Sequence, residues 1–203
     1  MKDRVIKKLV EDLLTHPERQ EWTLQGFGML RCYLSPEVRL HVWDSRFKWP
    51  GVSELHTHPW DFNSLVVAGV VHNHRFVETI EGAHQGSGQQ IPRMRQTIRC
   101  GEGGGLVGDP APVFLAEQPT ETFREGETYT QEASEIHRSV PEDGTVTLVE
   151  REFREDTEHA YVYFRGEWGT AEPRPATPEE VEAILGYSLS RWFTDDVEGW
   201  AED

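Results

Sequence analysis

Cysteine is scarce: the 203 residues include two, Cys32 and Cys100. Two thiols cannot build a disulfide framework, and without a Cys-x-x-Cys pair there is no zinc ribbon or thioredoxin-type motif. A reducing, cytoplasmic compartment is the expectation that follows. Cationic charge is also short, with 20 Lys and Arg against 36 Asp and Glu and a formal net charge of −16. Phosphate binding needs clustered Lys and Arg, so nucleic acid is excluded as a partner, and anionic membranes for the same reason. The plain role of such acidity is solubility. Long apolar runs are missing too. The first stretch, Met1 to Leu14, mixes Lys, Asp and Glu with its apolar residues and reads as neither a signal peptide nor a membrane span. Gly103-Gly104-Gly105 has no following Gly-Lys-Ser/Thr, so it is not a phosphate loop.

Enough remains to build a core: 36% of residues are hydrophobic and 28% charged, proportions of a folded chain, and the length fits one domain. Val5, Ile6, Leu9, Val10, Leu13 and Leu14 recur at helical spacing, so residues 3–15 read as an amphipathic helix closed by His16-Pro17. From Gly28 to about Phe164 the period changes to that of strands. Val38, Leu40 and Val42 alternate with Arg39, His41 and Trp43, Leu65 to Val71 is an almost continuous apolar run suited to a central strand, Thr145 to Leu148 alternates, and Tyr161 and Tyr163 mark another strand. Trp49-Pro50-Gly51, Glu125-Gly126 and Glu142-Asp143-Gly144 separate these runs as turns. Many short strands without intervening helices indicate an all-β sandwich or barrel. Gly82 to Pro92 and Gly101 to Pro112 read as long loops. Thr177-Pro178-Glu179-Glu180 is a helix start with a capping box, Val181, Ile184 and Leu185 would face the core, and Gly186 would end the helix.

The chemistry concentrates in His56-Thr57-His58-Pro59-Trp60-Asp61. In an extended strand residues i and i+2 share a face, so His56 and His58 can reach one point, as a metal ion requires. Asp61 is a nearby oxygen donor, and His137 stands in a second strand-like stretch. Trp60 reads either as an aromatic wall over that point or as core. His72 and His74 repeat the spacing, as groups behind the ligands or as exposed strand-end residues. With Leu40 and Val42 taken as facing inward, His41 points away from the site.

These residues resemble a known family. Gly51, His56, His58 and Gly69 look like the first motif of the cupins, and Gly126 with His137 like their second. The resemblance implies a double-stranded β-helix, or jelly-roll barrel, holding one divalent metal. On that reading 1–203 is a single cupin domain: an N-terminal helical segment (1–26), the barrel (27–165) and a C-terminal helical extension (166–203). The family's glutamate ligand, four or five residues beyond the second histidine, would fall at Phe62 or Asn63. Asp61 could substitute if the strand bulges after Pro59. Within the cupins the chain is similar to thiol dioxygenases such as cysteine dioxygenase over roughly Gly28 to Arg154. That likeness implies ferrous iron on three histidines, His56, His58 and His137, and a substrate carboxylate on Arg31. The alternative for Arg31 is a surface ion pair. Asn63 stands where some members carry a cysteine crosslinked to tyrosine, and Tyr161 and Tyr163 are displaced from the family's tyrosine spacing.

Either three imidazoles or two with a carboxylate leave an open face on iron for substrate and dioxygen. The leading expectation is therefore a mononuclear non-haem iron oxygenase acting on a small molecule. A cupin isomerase, epimerase or lyase using zinc, manganese or nickel is the alternative, and a non-catalytic ligand-binding barrel the third. Trp192, Phe193 and Trp200 suggest either a homodimer interface or a C-terminal segment packed back on the barrel.

Overall fold

The computed structural model describes residues 2–81, 90–100, 105–155, 157–167, 169 and 172–194. Helix α1 (Lys2–Thr15) comes first, followed by strands β1 (Thr23–Gln25), β2 (Phe27–Tyr33), β3 (Val38–Lys48), β4 (Leu55–His56) and β5 (Trp60–Ala68). Then come β6 (Val70–Thr79), β7 (Gln90–Arg99), β8 (Gly105–Glu117), β9 (Glu121–Arg124) and β10 (Thr128–Gln131). The chain continues through β11 (Ile136–Pro141), β12 (Val146–Phe153), β13 (His159–Phe164) and β14 (Arg174–Pro175) to helix α2 (Pro178–Trp192). The strands form two seven-stranded antiparallel sheets, ordered β10-β5-β12-β3-β2-β1-β14 and β11-β4-β13-β7-β8-β6-β9, with β11 also paired to β6. This is an all-β jelly roll with flanking helices.

The first sheet is covered on both faces. On its outer face Leu30, Leu40, Val42 and Val146, each fully buried, pack with Val10 and Leu14 of α1 and Val181, Ile184 and Leu185 of α2. Burying each such side chain is worth about 1.5–3 kcal/mol, so this layer holds the helices to the sheet. Phe193 joins the same layer with Trp192 packed beside it; Trp200 lies outside the described residues. The inner face carries the second set of side chains, including Trp60, Phe62 and Val149.

The apolar run Leu65 to Val71 is two strands, not one. At Gly69 (φ +91°) the chain turns a corner, leaving β5 in the first sheet and starting β6 in the second. A β-carbon there would lie 2.4 Å from Thr145 Oγ1, and that hydroxyl accepts from Val70 N and donates to Val70 O, both at 3.1 Å.

Other expectations shift for physical reasons. Residues 105–112, expected as loop, form the start of β8 paired with β7. At the register shift between Arg95 and Thr97 the Gln96 side chain bridges the two strands, its Nε2 donating to Val107 O and Gly108 O at 3.2 Å. Residues 90–92 likewise belong to β7, while 82–89 and 101–104 lie outside the described residues. Strand structure begins at Thr23, ahead of the expected boundary at 27, because β1 pairs with both β2 and β14 at the sheet edge. The capping box of α2 forms as read, with Thr177 and Glu180 bonding reciprocally. Gly186 does not end that helix. Ser188 beyond it is buried and donates to Gly144 O at 2.7 Å, so tertiary contacts carry the helix on to Trp192. Among the described residues no helix is long and apolar enough to cross a membrane.

The corner at Gly69 gives a direct test. Gly69→Ala should lower unfolding free energy by about 2 kcal/mol or more, from left-handed strain plus the collision with Thr145. Gly126→Ala has the same backbone hand (φ +82°) with open space around the new atom, and should cost only about 1 kcal/mol. Urea denaturation of both variants measures the difference.

Candidate metal centre

Three strands bring the histidines together. His56 ends β4, a two-residue strand held between β11 and β13. The next two residues are tied down by single bonds: Thr57 N donates to Tyr161 O at 2.9 Å and His58 N to Ala133 O at 3.1 Å. The extended backbone keeps His56 and His58 on one side and buries Thr57 on the other, where its hydroxyl accepts from Tyr161 N. His137 sits on β11 directly opposite His56 in the ladder. The distant third imidazole is thus delivered by strand register.

The ring centroids lie 4.6 Å (His56–His58), 4.9 Å (His56–His137) and 5.1 Å (His58–His137) apart. One nitrogen from each lies within 4.8 Å of the other two, and His58 Nε2 is 3.0 Å from His137 Nε2. Two ligands at right angles on an ion with bonds of about 2.1 Å are separated by about 3 Å. The donor set therefore fits a divalent cation.

Hydrogen bonds assign the free lone pairs. His56 Nδ1 lies 2.9 Å from Glu54 O; a carbonyl only accepts, so Nδ1 carries the proton and Nε2 is free to ligate. His137 is set by a longer chain. The Glu135 carboxylate accepts from Gln131 Nε2 (2.9 Å), Gln131 Oε1 accepts from Asn73 Nδ2 (3.2 Å), and Asn73 Oδ1 faces His137 Nδ1 at 3.2 Å. Each amide has one accepting and one donating end, so Glu135, by accepting from Gln131 Nε2, orients both amides and places the His137 proton on Nδ1.

Burial keeps the rings neutral. Desolvation lowers the pKa of His56 and drives those of His58 and His137 well below the ordinary value, and the mutual field of the rings adds to the last two. His56 and His58 retain partial exposure because they line a cavity of about 840 Å³; protein encloses their other sides. Phe27 stacks on His56 (5.5 Å, 10°) and Trp60 on His58 (4.1 Å, 25°). Trp60 is thus both 9% exposed core and aromatic wall. Arg31 lines the same cavity.

Two expected site residues are not brought in. Asp61 Oδ1 accepts from Ala133 N and its Oδ2 from Arg154 Nε, both at 2.7 Å, and Asn63 is exposed opposite Thr130 and Glu150. The cause is plain alternation without a bulge after Pro59: Trp60 and Phe62 face inward, so Asp61 and Asn63 face outward. His72 and His74 also face outward, 2.9 Å from Thr122 Oγ1 and 2.6 Å from Glu117 Oε1. Asn73 between them is fully buried behind His137, a role the His-Asn-His alternation could have signalled.

His41 was also missed. It is 7% exposed and lines the cavity, because Leu40 and Val42 face the helices instead of the interior. The amphipathic patterns of α1 and α2 signalled that an outer apolar face was needed. Burial, followed by the field of Arg39, Arg31 and Arg151, drives the His41 pKa well below normal.

Four neutral histidines, His41 and His137 buried and His56 and His58 half-buried, imply acid sensitivity. Their folded pKa values lie below the unfolded value of about 6.5, so the unfolded chain binds more protons once pH falls below that point. Stability is complete above about pH 6.5 and declines as pH drops, by up to about 1.4 kcal/mol per pH unit per histidine. Chelator-treated protein melted between pH 7.5 and 5 should show this decline, and His41→Gln should flatten it by one histidine's share. A pH-independent melting curve over that window would contradict the assignment of neutral rings.

A scan against protein-family models finds no match to this chain, and a search of curated proteins finds none either.

Proposed function

We propose that the chain is a metal-dependent enzyme of cupin type, a mononuclear non-haem iron oxygenase of the three-histidine kind acting on a small molecule. The observation that carries this reading is the meeting of three neutral imidazoles, with no carboxylate among them, on the wall of a cavity of about 840 Å³. Imidazole donors suit iron, zinc and nickel, and a cavity of this size suits a small-molecule ligand. When bound, ferrous iron supplies the redox chemistry that couples dioxygen to a substrate.

The chain's own residues would do the rest. His56, His58 and His137 hold the cation from one side and leave its other positions to ligands. Phe27 and Trp60 flank the imidazoles and restrict water. Arg31 binds a substrate carboxylate: its guanidinium now donates to neutral oxygens, Thr23 Oγ1 at 3.1 Å and Gln25 Oε1 at 3.3 Å, which a carboxylate would outcompete. Asn73, Gln131 and Glu135 orient His137.

Elemental analysis after expression with added iron should find one metal per chain in the parent and little in His56→Ala and His137→Ala. Oxygen consumption by the iron-loaded protein, over a panel of small thiol carboxylic acids, supports the oxygenase. Turnover with zinc under anaerobic conditions would move the reading to an isomerase or lyase. A parent that takes up no metal under any supplementation removes it. Asn73→Ala should keep the ligands yet weaken metal binding about 10- to 100-fold, as measured by competition with a chromogenic chelator.

A further inference from the structure

Three arginines share one corner of the inner face. The Arg39 guanidinium lies 4.8 Å from the Tyr33 ring centre and 5.1 Å from that of Trp60. Arg151 lies 5.5 Å from Tyr33, 5.4 Å from Trp60 and 4.6 Å from Phe153, and Arg31 lies 5.6 Å from Tyr33. Strand alternation explains the gathering: Arg39 and His41 on β3 share a face with Val149 and Arg151 on β12, and Val149 stands opposite Arg39 in the ladder. Arg31 stands opposite His41 on the other side.

What these cations lack is a carboxylate at ion-pair distance. Arg19, Arg46, Arg75, Arg95, Arg154, Arg174 and Arg191 all sit in ion pairs. Although acidic residues outnumber basic ones 36 to 20, among the described residues no carboxylate lies within ion-pair distance of Arg31, Arg39 or Arg151; Glu37 attracts Arg151 only from farther off. The Nε atoms of Arg39 and Arg151 and Nε2 of His41 are buried without a hydrogen-bond partner. Arg151 does donate to Pro36 O, and the Tyr33 ring, 45% exposed, sets the corner beside bulk water. Buried guanidinium donors without acceptors are unfavourable, and three adjacent like charges repel. Aromatic faces and a hydrogen bond between Arg39 and the Tyr33 side chain offset part of this, but neither brings a full negative charge.

We propose that this corner is a built site for a doubly charged oxyanion carried by the cavity's ligand, with Arg39, which lines the cavity, as its principal donor and Arg151 adding its positive charge beside it. One phosphate-type dianion, or two carboxylates on one small molecule, would satisfy the orphaned Arg39 Nε and offset the repulsion among the three guanidiniums. Trp60 joins the two sites, touching both guanidiniums and stacking on His58. A ligand anchored here therefore reaches toward the three histidines. The inference deepens the reading above, since it rests on the cavity holding a small molecule, but it needs no bound cation.

Titration calorimetry at constant ionic strength tests it, with inorganic phosphate, succinate and acetate as probes and metal content measured on the same samples. At least one dianion should bind tenfold or more tightly than acetate. Phosphate in that role identifies a single dianionic group, and succinate identifies paired carboxylates. Arg39→Gln should weaken that binding at least tenfold, and Arg39→Lys, which keeps charge but loses the fork, should fall between. His137→Ala should retain it. The hydrogen-bond partner of Arg39 is the Tyr33 side chain, itself 45% exposed, so its variants read binding even if Arg151→Gln does not fold. Dianions binding no better than acetate, or an unchanged Arg39→Gln, would overturn the inference. Loss of metal with anion binding intact would instead remove the metal-centre reading and leave this one standing.

Discussion

The site depends on one strand pairing. β11 lies against β4 at a single position, His137 opposite His56, and continues along β6 from Ile136 to Pro141. The β6 ladder is the long one, and it holds β11 in register. A slip of one residue would turn His137 to the outside and bring Ile136 or Arg138 to the cavity. The same ladder sets Asn73 on β6 behind His137, so the pairing that delivers the third imidazole also delivers the group that orients it.

A second constraint is that the first sheet is buried on both faces. Helices α1 and α2 cover the outer face with aliphatic packing, which frees the inner face from making a dry core everywhere. Part of that inner face is aromatic and packed, around Trp60 and Phe62. The rest is polar wall: His41, Arg31 and Arg39 all border the cavity. Stability and function are thereby placed on opposite sides of the same strands, with alternate residues of β3 serving each.

Electrostatically the interior is the inverse of the whole. A chain of net charge −16 encloses histidines held neutral and, among the described residues, three clustered arginines with no carboxylate at ion-pair distance. Both states follow from low dielectric. Protonated imidazole is disfavoured there, so its lone pairs stay open to a cation, while a guanidinium keeps its proton and hence its positive charge. The cavity thus offers lone pairs at one end and unmatched positive charge at the other, joined by one indole.

Local periodicity determined much on its own. The His-x-His pair, the strand alternation around it, both helices and the capping box at Thr177 are short-range patterns set by i+2 and i+3/i+4 geometry, and each is found where the pattern places it, except that α2 runs past Gly186 to Trp192. The all-β class followed from many short strands without helices between them. The choice of face was not legible. Alternation says that Leu40 and His41 differ in side, but only the docking of α1 and α2 decides which side is the interior, so His41 was misplaced. Asp61 and Asn63 were drawn toward the site by proximity in sequence, whereas the unbulged strand turns both away. The corner at Gly69, the chain through Asn73 and Gln131 to Glu135, and the gathering of Arg31, Arg39 and Arg151 join residues tens of positions apart. Such contacts depend on sheet register and on which elements stack, quantities that a one-dimensional pattern does not contain and that tertiary packing alone supplies.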